Sequence, residues 1–309
     1  MTNLLRPLDI WRCAIVKAPI QELRQSHLAA ENLLWLPETN KRLTFRADPF
    51  GLWNDGKLHV FVERFDYRTL KGEIELLVFD HDLKLLESQV VLKRPWHLSY
   101  PIVFSADRDI YMLPEARRSG ELSIYRASSF PYTWDLARVL EIPGTAVDST
   151  PFVHEGRWWI IYGIVSKDRA RTSTLHLAFA DRPAGPFHAH PLNPVRSGLR
   201  GTRPAGTPFH EGDVITVPVQ DSSRTYGGAV RRLRILRLDE RHLEVEDECW
   251  LEPAPALSPF DQGIHTVSGA GDISLIDCKL VDRSILGALT QRRGKFRRRM
   301  GDDLTDISR

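Results

Sequence analysis

The sequence predicts an all-β fold, a five-bladed β-propeller, from three observations. A hairpin pattern recurs five times, each time as two apolar or β-branched runs separated by a short polar turn. The residues that open the five copies are 52, 48, 55 and 62 positions apart, and repeats near 50 residues are typical of propeller blades. Further alternating or apolar segments follow the hairpins and supply the outer strands of each blade.

Each hairpin opens with a different polar or aromatic residue, which we call its lead residue. The five lead residues are Asp48, Tyr100, Asp148, Arg203 and His265. Because the innermost strand of every blade lines the propeller axis, equivalent positions in the five copies converge there. Five chemically different side chains at one ring indicate a binding or catalytic site, whereas five similar ones would indicate packing.

The remaining elements follow in chain order. Residues 10–16 are predicted as a strand that completes the last blade and closes the ring, which removes an exposed edge. Residues 20–32 are predicted as a short N-terminal helix. Third strands of four blades are predicted at 73–79, 121–126, 175–180 and 232–238, and edge strands at 89–92 and 137–141. The propeller is predicted to span residues 1–285.

Composition narrows the classes of protein. A net charge of +2 over 309 residues does not favour nucleic acid as a partner. We expect neither a membrane-spanning segment nor a signal peptide, because no apolar run is long enough and the first residues lack an apolar core. Cys13, Cys249 and Cys278 have no paired metal spacing. We therefore expect a reducing cytoplasmic location, with no metal and no cofactor.

Residues 286–309 differ from the rest in being strongly basic between 291 and 300. Such a run is most often a solvated tail, because like charges repel and resist a packed fold. A second interpretation is peripheral contact with anionic lipid headgroups at the inner membrane surface. Nucleic acid is disfavoured here too, because no aromatic stacking platform accompanies the charges.

Several motifs resemble known propeller families. Residues 47–50 and 175–187 are similar to the first and third blades of the five-bladed arabinanase, β-xylosidase and invertase glycosidases. A closer resemblance, to the propeller that precedes the transferase domain of glucosamine inositolphosphorylceramide transferases, covers nearly the whole chain. The motifs that carry it are 11–19, 45–50, 97–101, 113–115, 190–195, 203–206 and 220–227.

The closer resemblance implies a role in glycan, glycolipid or surface-polysaccharide synthesis. Its ligand would be a sugar, a glycolipid or a nucleotide-sugar, and a glycan-synthesis enzyme would be its partner. In the plant enzyme, glycosyl transfer is attributed to a different domain. The resemblance therefore specifies a domain family without specifying its reaction.

The glycosidase resemblance can be followed residue by residue. Asp48 matches the base or nucleophile, and Asp148 matches the carboxylate that orients the site and adjusts the acid's pKa. The proton-donating acid should lead the fourth blade, where this chain has Arg203. An arginine stays protonated and does not donate a proton at neutral pH. Arg203 therefore disfavours ordinary hydrolysis and favours an anionic ligand, unless it only pairs with Asp48 or Asp148 inside the protein.

Other polar residues complete the candidate site. Glu115, at the end of a second strand, is a substitute acid, so the catalytic set is Asp48, Asp148 and Glu115. Alternatively, Glu115 accepts a hydrogen bond from the adjacent blade's backbone, and the two aspartates cap turns. The predicted substrate-binding residues are Tyr100, Arg203, Asp221, His265 and Glu63. The alternatives are a strand-end carboxylate that bonds the adjacent blade's backbone for Glu63, a satisfied structural residue for His265 and a structured turn for the loop at Asp221.

Two classes of function remain open from the sequence. One is a carbohydrate-active enzyme that acts by glycosyl transfer or atypical glycosidic-bond chemistry. The other is a non-catalytic module that binds a sugar or nucleotide-sugar for a partner enzyme. Asp48 and Asp148 favour chemistry, whereas Arg203 at the acid position favours binding or transfer over hydrolysis.

Overall fold

The computed structural model describes residues 7–39, 41–165 and 173–306, which form five antiparallel sheets arranged as blades. The chain begins with strands β1 (Leu8–Val16) and β2 (Leu33–Trp35). Blade 1 contains β3 (Thr44–Asn54), β4 (Lys57–Asp66), β5 (Lys71–Phe79) and β6 (Leu85–Leu92). Blade 2 contains β7 (Ser99–Ala106), β8 (Asp109–Glu115), β9 (Leu122–Ser129) and β10 (Thr133–Leu140).

The last three blades complete the ring. Blade 3 contains β11 (Ala146–His154), β12 (Arg157–Val165), β13 (Ser173–Ala180), β14 (His188–Ala189) and β15 (Arg196–Gly198). Blade 4 contains β16 (Arg200–Pro204), β17 (Phe209–Glu211), β18 (Val214–Asp221), β19 (Ala229–Leu238) and β20 (Leu243–Leu251). Blade 5 contains β21 (Ile264–Ala270) and β22 (Ile273–Asp282), followed outward by β1 and β2. The predicted five-bladed propeller is confirmed.

The first strand closes the ring, as the sequence predicts. β1 pairs antiparallel with β22 along its whole length, from Leu8 opposite Asp282 to Val16 opposite Ser274. Blade 5 is therefore built from both ends of the chain. Because β22 is paired on both sides, neither end of the propeller sequence leaves an open sheet edge at this junction.

The blades are held together by apolar side chains that lie between neighbouring sheets. Phe50 of blade 1 packs edge-on against Tyr100 of blade 2, with ring centroids 4.7 Å apart. Blades 3 and 4 share a second cluster that includes Trp159, Val217 and Leu233. This packing gives the inner strands a fixed spacing around the axis, which positions the lead residues.

The predicted N-terminal helix at 20–32 is wrong. Two short 3-10 turns, Gln25–Leu28 and Ala30–Asn32, occupy this segment instead. The carbonyl of Leu23 accepts hydrogen bonds from Arg232 and Trp250 of blade 4, at 3.1 and 3.0 Å. That carbonyl is thereby held by the propeller, and the amide of His27 donates to Arg24 in the 3-10 pattern. Tertiary contacts override the local helical pattern here.

The α-helix of the described chain lies at the other end, as α1 (Ile285–Asp306). It covers most of the segment predicted as a solvated tail. Arg292, Arg293 and Lys295 are exposed on it, so their charges remain in water. None of the helices in the described ranges is long and apolar enough to cross a membrane.

Candidate functional site

The lead residues occupy the same structural position in all five blades. Each innermost strand has an irregularity in its pairing with the next strand, and the lead residue lies within it. Asp48, Tyr100 and Asp148 have positive φ angles of 51°, 46° and 51°. A non-glycine residue in this left-handed region costs on the order of 1–3 kcal/mol and persists only where surrounding contacts hold it. The repeated strain marks the axis as a candidate site.

Asp48 is held by donors from two neighbouring blades. Its Oδ2 accepts from the backbone N–H of Tyr100 at 3.1 Å, and its Oδ1 accepts from Thr266 Oγ1 at 2.6 Å. His265 Nε2 lies 3.7 Å from the same Oδ1. Burial raises the pKa of Asp48 from 3.8 to about 6, although His265 lowers it and Asp277 adds to the increase. Asp48 is therefore mostly ionised at neutral pH, yet remains basic for an aspartate.

Arg203 forms an ion pair with Asp148 inside the protein. Its Nε donates to Asp148 Oδ2 at 2.6 Å, and its Nη2 lies 3.6 Å from Glu115 Oε2. Gln220 Nε2 donates to the same oxygen of Asp148 at 3.2 Å. Burial lowers the pKa of Arg203, but the nearby Asp148, Tyr226 and Glu115 raise it by more than burial lowers it. The pKa of Arg203 therefore lies well above its usual value. Arg203 is thus a permanent cation that is paired with Asp148 inside the protein.

Glu115 bonds to the backbone of the adjacent blade, and its pKa is shifted in the direction that a substitute acid requires. Its Oε2 accepts from the backbone N–H of Asp148 at 3.3 Å, which ties blade 2 to blade 3. Burial and the charge of Asp148 raise the pKa of Glu115 well above its usual value, against a smaller lowering by Arg203. A buried acid with a raised pKa holds its proton more tightly than an exposed one and is a potential proton donor.

His265 lies in an aromatic and acidic surround. Its ring stacks on Trp11, with centroids 3.8 Å apart and planes 10° apart, and the edge of Tyr226 meets it at 5.5 Å. Its Nδ1 lies 2.6 Å from Asp277 Oδ2. Burial lowers the pKa of His265, but Asp277 and Asp48 raise it more, and its pKa ends above the usual value. The ring is thus fixed in place and favours the protonated form.

Asp277, Trp11 and Thr266 are site residues that the sequence reasoning missed. Asp277 is fully buried and also accepts from the backbone N–H groups of Asp48, His265 and Thr266. A sequence signal for Asp277 exists, since a charged residue within an otherwise apolar buried strand is uncommon without a partner. Trp11 carries no such signal, because its contact with His265 joins opposite ends of the chain.

Asp48, His265 and Asp277 form a cluster that could supply ligands to a metal ion. Each offers one ligand atom, and these atoms lie within 4.8 Å of one another. However, His265 Nδ1 and Asp277 Oδ2 are at hydrogen-bonding distance, so these two groups already satisfy each other. The cluster is a hydrogen-bonded Asp–His pair beside Asp48.

Tyr100 points into the wall between blades. It is completely buried, and its hydroxyl bonds to Thr150 Oγ1 at 2.8 Å and accepts from the N–H of Gly206 at 2.6 Å. Gly206 has no room for a side chain, since a Cβ would lie 1.7 Å from the carbonyl oxygen of Val267. The structure thus places Tyr100 at a junction of four blades, beneath any surface that a ligand would touch.

The other two predicted binding residues, Asp221 and Glu63, have different surroundings. Asp221 bonds to Ser223 and lies 3.5 Å from Arg231 and 3.6 Å from Arg200, which anchors the loop between β18 and β19. Glu63 is buried near His97 at 3.7 Å. Burial raises the pKa of Glu63 well above its usual value, and Asp48 is the next largest cause. Glu63 belongs electrostatically to the acidic centre, whereas Asp221 belongs to the loop.

Solvent reaches the lead residues only slightly. The side chains of Arg203, Glu115, Asp48 and Asp148 are 14%, 10%, 8% and 5% exposed. Those four form the part of the centre that a ligand would contact from the propeller axis. A ligand would therefore touch three acids and one cation before it touched the buried residues beneath them.

Comparison with known proteins identifies the family. Residues 36–254 match the family model described as glucosamine inositolphosphorylceramide transferase 1, N-terminal. Over 215 residues the chain is 32% identical to glucosamine inositolphosphorylceramide transferase 1 of Oryza sativa subsp. indica. The chain belongs to this family of N-terminal domains. The corresponding protein of Arabidopsis thaliana is 34% identical over 211 residues.

The relatives of this transferase N-terminal domain are much longer proteins. The rice alignment covers 68% of this chain and 29% of the rice protein, and the Arabidopsis alignment covers 65% and 27%. The chain thus spans less than a third of the length of these relatives. The family match includes four lead residues, whereas His265 and Asp277 lie beyond residue 254.

Solved structures agree on the propeller fold. A family 117 glycoside hydrolase from Zobellia galactanivorans superposes with a TM-score of 0.56 at 17% identity, covering 92% of this chain and 93% of that one. An α-L-arabinofuranosidase from Lactobacillus brevis has a TM-score of 0.55 at 13% identity, covering 75% and 81%. At these identities the likeness establishes the fold alone.

The acidic centre predicts a pH-dependent stability. We expect the free energy of unfolding to fall by on the order of 1–3 kcal/mol between pH 5 and pH 8. The raised pKa of Asp48, about 6, means that the folded state binds more protons than the unfolded state between about pH 4 and 6, so stability falls as pH rises. The raised pKa values of Glu63 and Glu115 act in the same direction.

His265 adds to the same trend. Because its folded pKa is raised, its contribution is fully present below the unfolded value near 6.5 and is lost as pH rises through the folded value. Urea titrations from pH 5 to pH 8 measure the effect, and Asp48→Asn should flatten the lower part of the profile. A stability that stays level or increases over this interval would contradict the assignment of a proton-binding centre.

Proposed function

We propose that this propeller acts on the sugar-bearing headgroup of a glycolipid, by glycosyl transfer or atypical glycosidic-bond chemistry at the propeller axis. The observation that carries the proposal is that Asp48 and Glu115, acids from adjacent blades, both have raised pKa values and both reach solvent at the axis. Two carboxyl groups in different protonation states are what glycosidic-bond chemistry requires.

The two acids would have different roles. Asp48, largely ionised at neutral pH, would serve as the base or nucleophile. Glu115 would hold the proton for the leaving oxygen, in place of the acid that is absent where Arg203 stands. Asp148 would orient Glu115 through its backbone N–H, which donates to Glu115, and would hold Arg203 beside it.

Arg203 supports a phosphate-bearing ligand. Only its Nε and Nη2 face Asp148 and Glu115, and a guanidinium has five N–H donors arranged to bind oxyanions. The relatives are named glucosamine inositolphosphorylceramide transferases, and inositol phosphate is such an oxyanion. An anionic glycolipid headgroup therefore agrees with both the site and the family.

A second candidate is a non-catalytic binding module that holds the headgroup for a partner enzyme. It is favoured by the hydrogen bonding of the centre, because both oxygens of Asp48 already accept from the protein and Glu115 bonds to the next blade. The matched part is 29% of the rice protein, which leaves room in that relative for a separate domain that supplies the transferase chemistry.

One experiment separates these functions. The protein is incubated with inositolphosphorylceramide or its glycosylated form and a panel of nucleotide-sugars, products are followed by mass spectrometry, and binding is measured by calorimetry. A new or shortened glycan supports the enzyme, and saturable binding without product supports the module. If neither binding nor product is found with any of these compounds, the proposal is overturned.

Replacing Arg203 with methionine tests the ligand's charge. We expect Arg203→Met to weaken binding of inositol phosphate about 10- to 100-fold, because a charge-assisted bond to phosphate is lost, while neutral inositol glycosides lose less than about threefold. Arg203→Lys keeps the charge and serves as a second variant in case Arg203→Met does not fold. Arg231→Met, which removes a half-buried arginine paired with Asp221 and Asp247, is the matched control. Equal losses for both ligands would mean that Arg203 only pairs with Asp148.

A further inference from the structure

Helix α1 packs against the propeller through a face that carries two glycines. Gly287 and Gly294 are two helical turns apart and therefore lie on one face. A Cβ on Gly294 would lie 2.7 Å from the carbonyl oxygen of Tyr67, and one on Gly287 would lie 3.0 Å from Leu8 Cδ1. The helix backbone thus approaches the propeller so closely at both points that this face is fully used.

The opposite face of α1 carries large apolar side chains that are exposed. Ile285, Leu286, Leu289 and Phe296 are 67%, 48%, 45% and 66% exposed. Their spacing of three, four and seven residues places them on one side of the helix, away from the two glycines. Several large apolar side chains are exposed in the described ranges, and these four lie together on a single helix. An apolar stripe of this kind usually faces a partner.

The charge around this stripe is strongly positive. Six of the eight residues from 292 to 299 are Arg or Lys, and Arg292 and Arg293 line a shallow groove with Leu289 and Phe296. A helix with an apolar stripe flanked by basic residues binds in the interfacial layer of anionic membranes. A second copy of the helix would bring like charges together, and nucleic acid would leave the apolar stripe in water.

The position of α1 relates it to the axial site. Gly294 contacts the turn between β4 and β5, at Tyr67. Thr44, the first residue of β3, pairs with Asp66, the last residue of β4, so this turn lies at the end where β3 begins. Asp48 lies in the first half of β3. The helix and the lead residues are therefore at the same end of the propeller.

We propose that α1 docks the propeller on an anionic lipid surface, with the end that carries the lead residues facing the lipid. The inference that α1 binds lipid depends only on the apolar stripe and the basic residues beside it. Its consequence for substrate rests on the proposed function, because a glycolipid headgroup would then be presented to the axis from the same surface.

Vesicle sedimentation with the full chain tests the docking. We expect binding to vesicles of phosphatidylglycerol and phosphatidylcholine, and much weaker binding to phosphatidylcholine alone. Arg292→Glu/Arg293→Glu and Leu289→Ser/Phe296→Ser should each reduce anionic binding at least about tenfold. The matched control is Leu136→Ser/Arg138→Glu on β10, where Leu136 is 53% exposed; it should bind as the parent does.

The outcomes are distinct. Equal binding of all variants, or of both vesicle types, would overturn the proposal. So would a concentration-dependent dimer in sedimentation velocity that Leu289→Ser/Phe296→Ser abolishes, or binding of a DNA duplex without binding of vesicles. Because none of these measurements uses a sugar, failure here leaves the proposed function untouched, and failure of the glycolipid assay leaves the docking untouched.

Orientation has its own measurement. In a Cys249→Ser background, which removes an exposed thiol, a fluorophore is attached at Thr69→Cys or at Asp55→Cys. Thr69 lies in the turn beside α1, and Asp55 lies in the hairpin at the opposite end of blade 1. Lipid-borne nitroxides should quench the first fluorophore and spare the second. The reverse pattern would show that the axial site faces away from the membrane.

Discussion

Replacing Asp48 with asparagine is expected to reduce turnover at least about a thousandfold while leaving the fold and ligand affinity nearly unchanged. A base or nucleophile needs the basicity of a carboxylate, which an amide lacks. The amide oxygen can still accept from the N–H of Tyr100, and the new NH2 group can donate to Thr266 Oγ1, whose hydroxyl can rotate. The hydrogen bonds of Asp48 are therefore conserved in number.

The measurement is kcat with the glycolipid product found for the parent protein, alongside calorimetric affinity and a melting curve. Asp239→Asn is the control, since this carboxylate accepts backbone N–H bonds in an exposed turn and its change should not affect kcat. Turnover by Asp48→Asn within about tenfold of the parent would exclude Asp48 as base or nucleophile. Release of free sugar by the parent, lost in the variant, would indicate hydrolysis at the same site.

Replacing Asp277 with alanine is expected to lower the free energy of unfolding by about 3–5 kcal/mol, the range for breaking a buried charged pair. Asp277 is completely buried and joins blade 5 to blade 1. Alanine would leave three backbone N–H groups and His265 Nδ1 without their acceptor. Each unsatisfied buried donor is costly, and the closure of the ring depends on this residue.

Urea unfolding at pH 7 measures this loss. Asp239→Ala is the matched control, because Asp239 also accepts backbone N–H bonds but in an exposed turn, and its removal should cost less than about 1 kcal/mol. The loss of stability for Asp277→Asn should lie between those of the other two variants, because its one remaining side-chain oxygen can still accept some of these hydrogen bonds. A loss below 1 kcal/mol for Asp277→Ala would mean that the ring is closed mainly by β1 and β22.

The sequence predicts those parts of the molecule that are encoded locally and repeated. Each inner hairpin carries its own turn and its own apolar runs, so the blade count and the positions of Asp48, Tyr100, Asp148, Arg203 and His265 could be inferred by comparing the copies. The partner of Arg203 could be narrowed to two aspartates, but the choice of Asp148 depends on how adjacent blades pack.

Other features were not predicted from the sequence, because they depend on contacts between distant segments. Asp277 and Trp11 reach His265 from different strands of blade 5, and the segment 20–32 loses its helical pattern to bonds from blade 4. Helix α1 was not predicted, because its sequence contains Gly287 and Gly294, and glycine weakens a helix in isolation. Its close approach to the propeller is the reason that glycine fits there.

The place of β1 in the last blade affects how the protein can be made. β1 is synthesised first, but its sheet partner β22 comes near the other end of the 309-residue chain. At about 5–20 residues per second, a ribosome needs tens of seconds to produce that partner. Throughout this time, the apolar residues Leu8, Trp11 and Cys13, which become buried in the native fold and pair with β22, have no sheet to join. A nascent chain with this topology must keep its first strand from aggregating until its last blade has emerged.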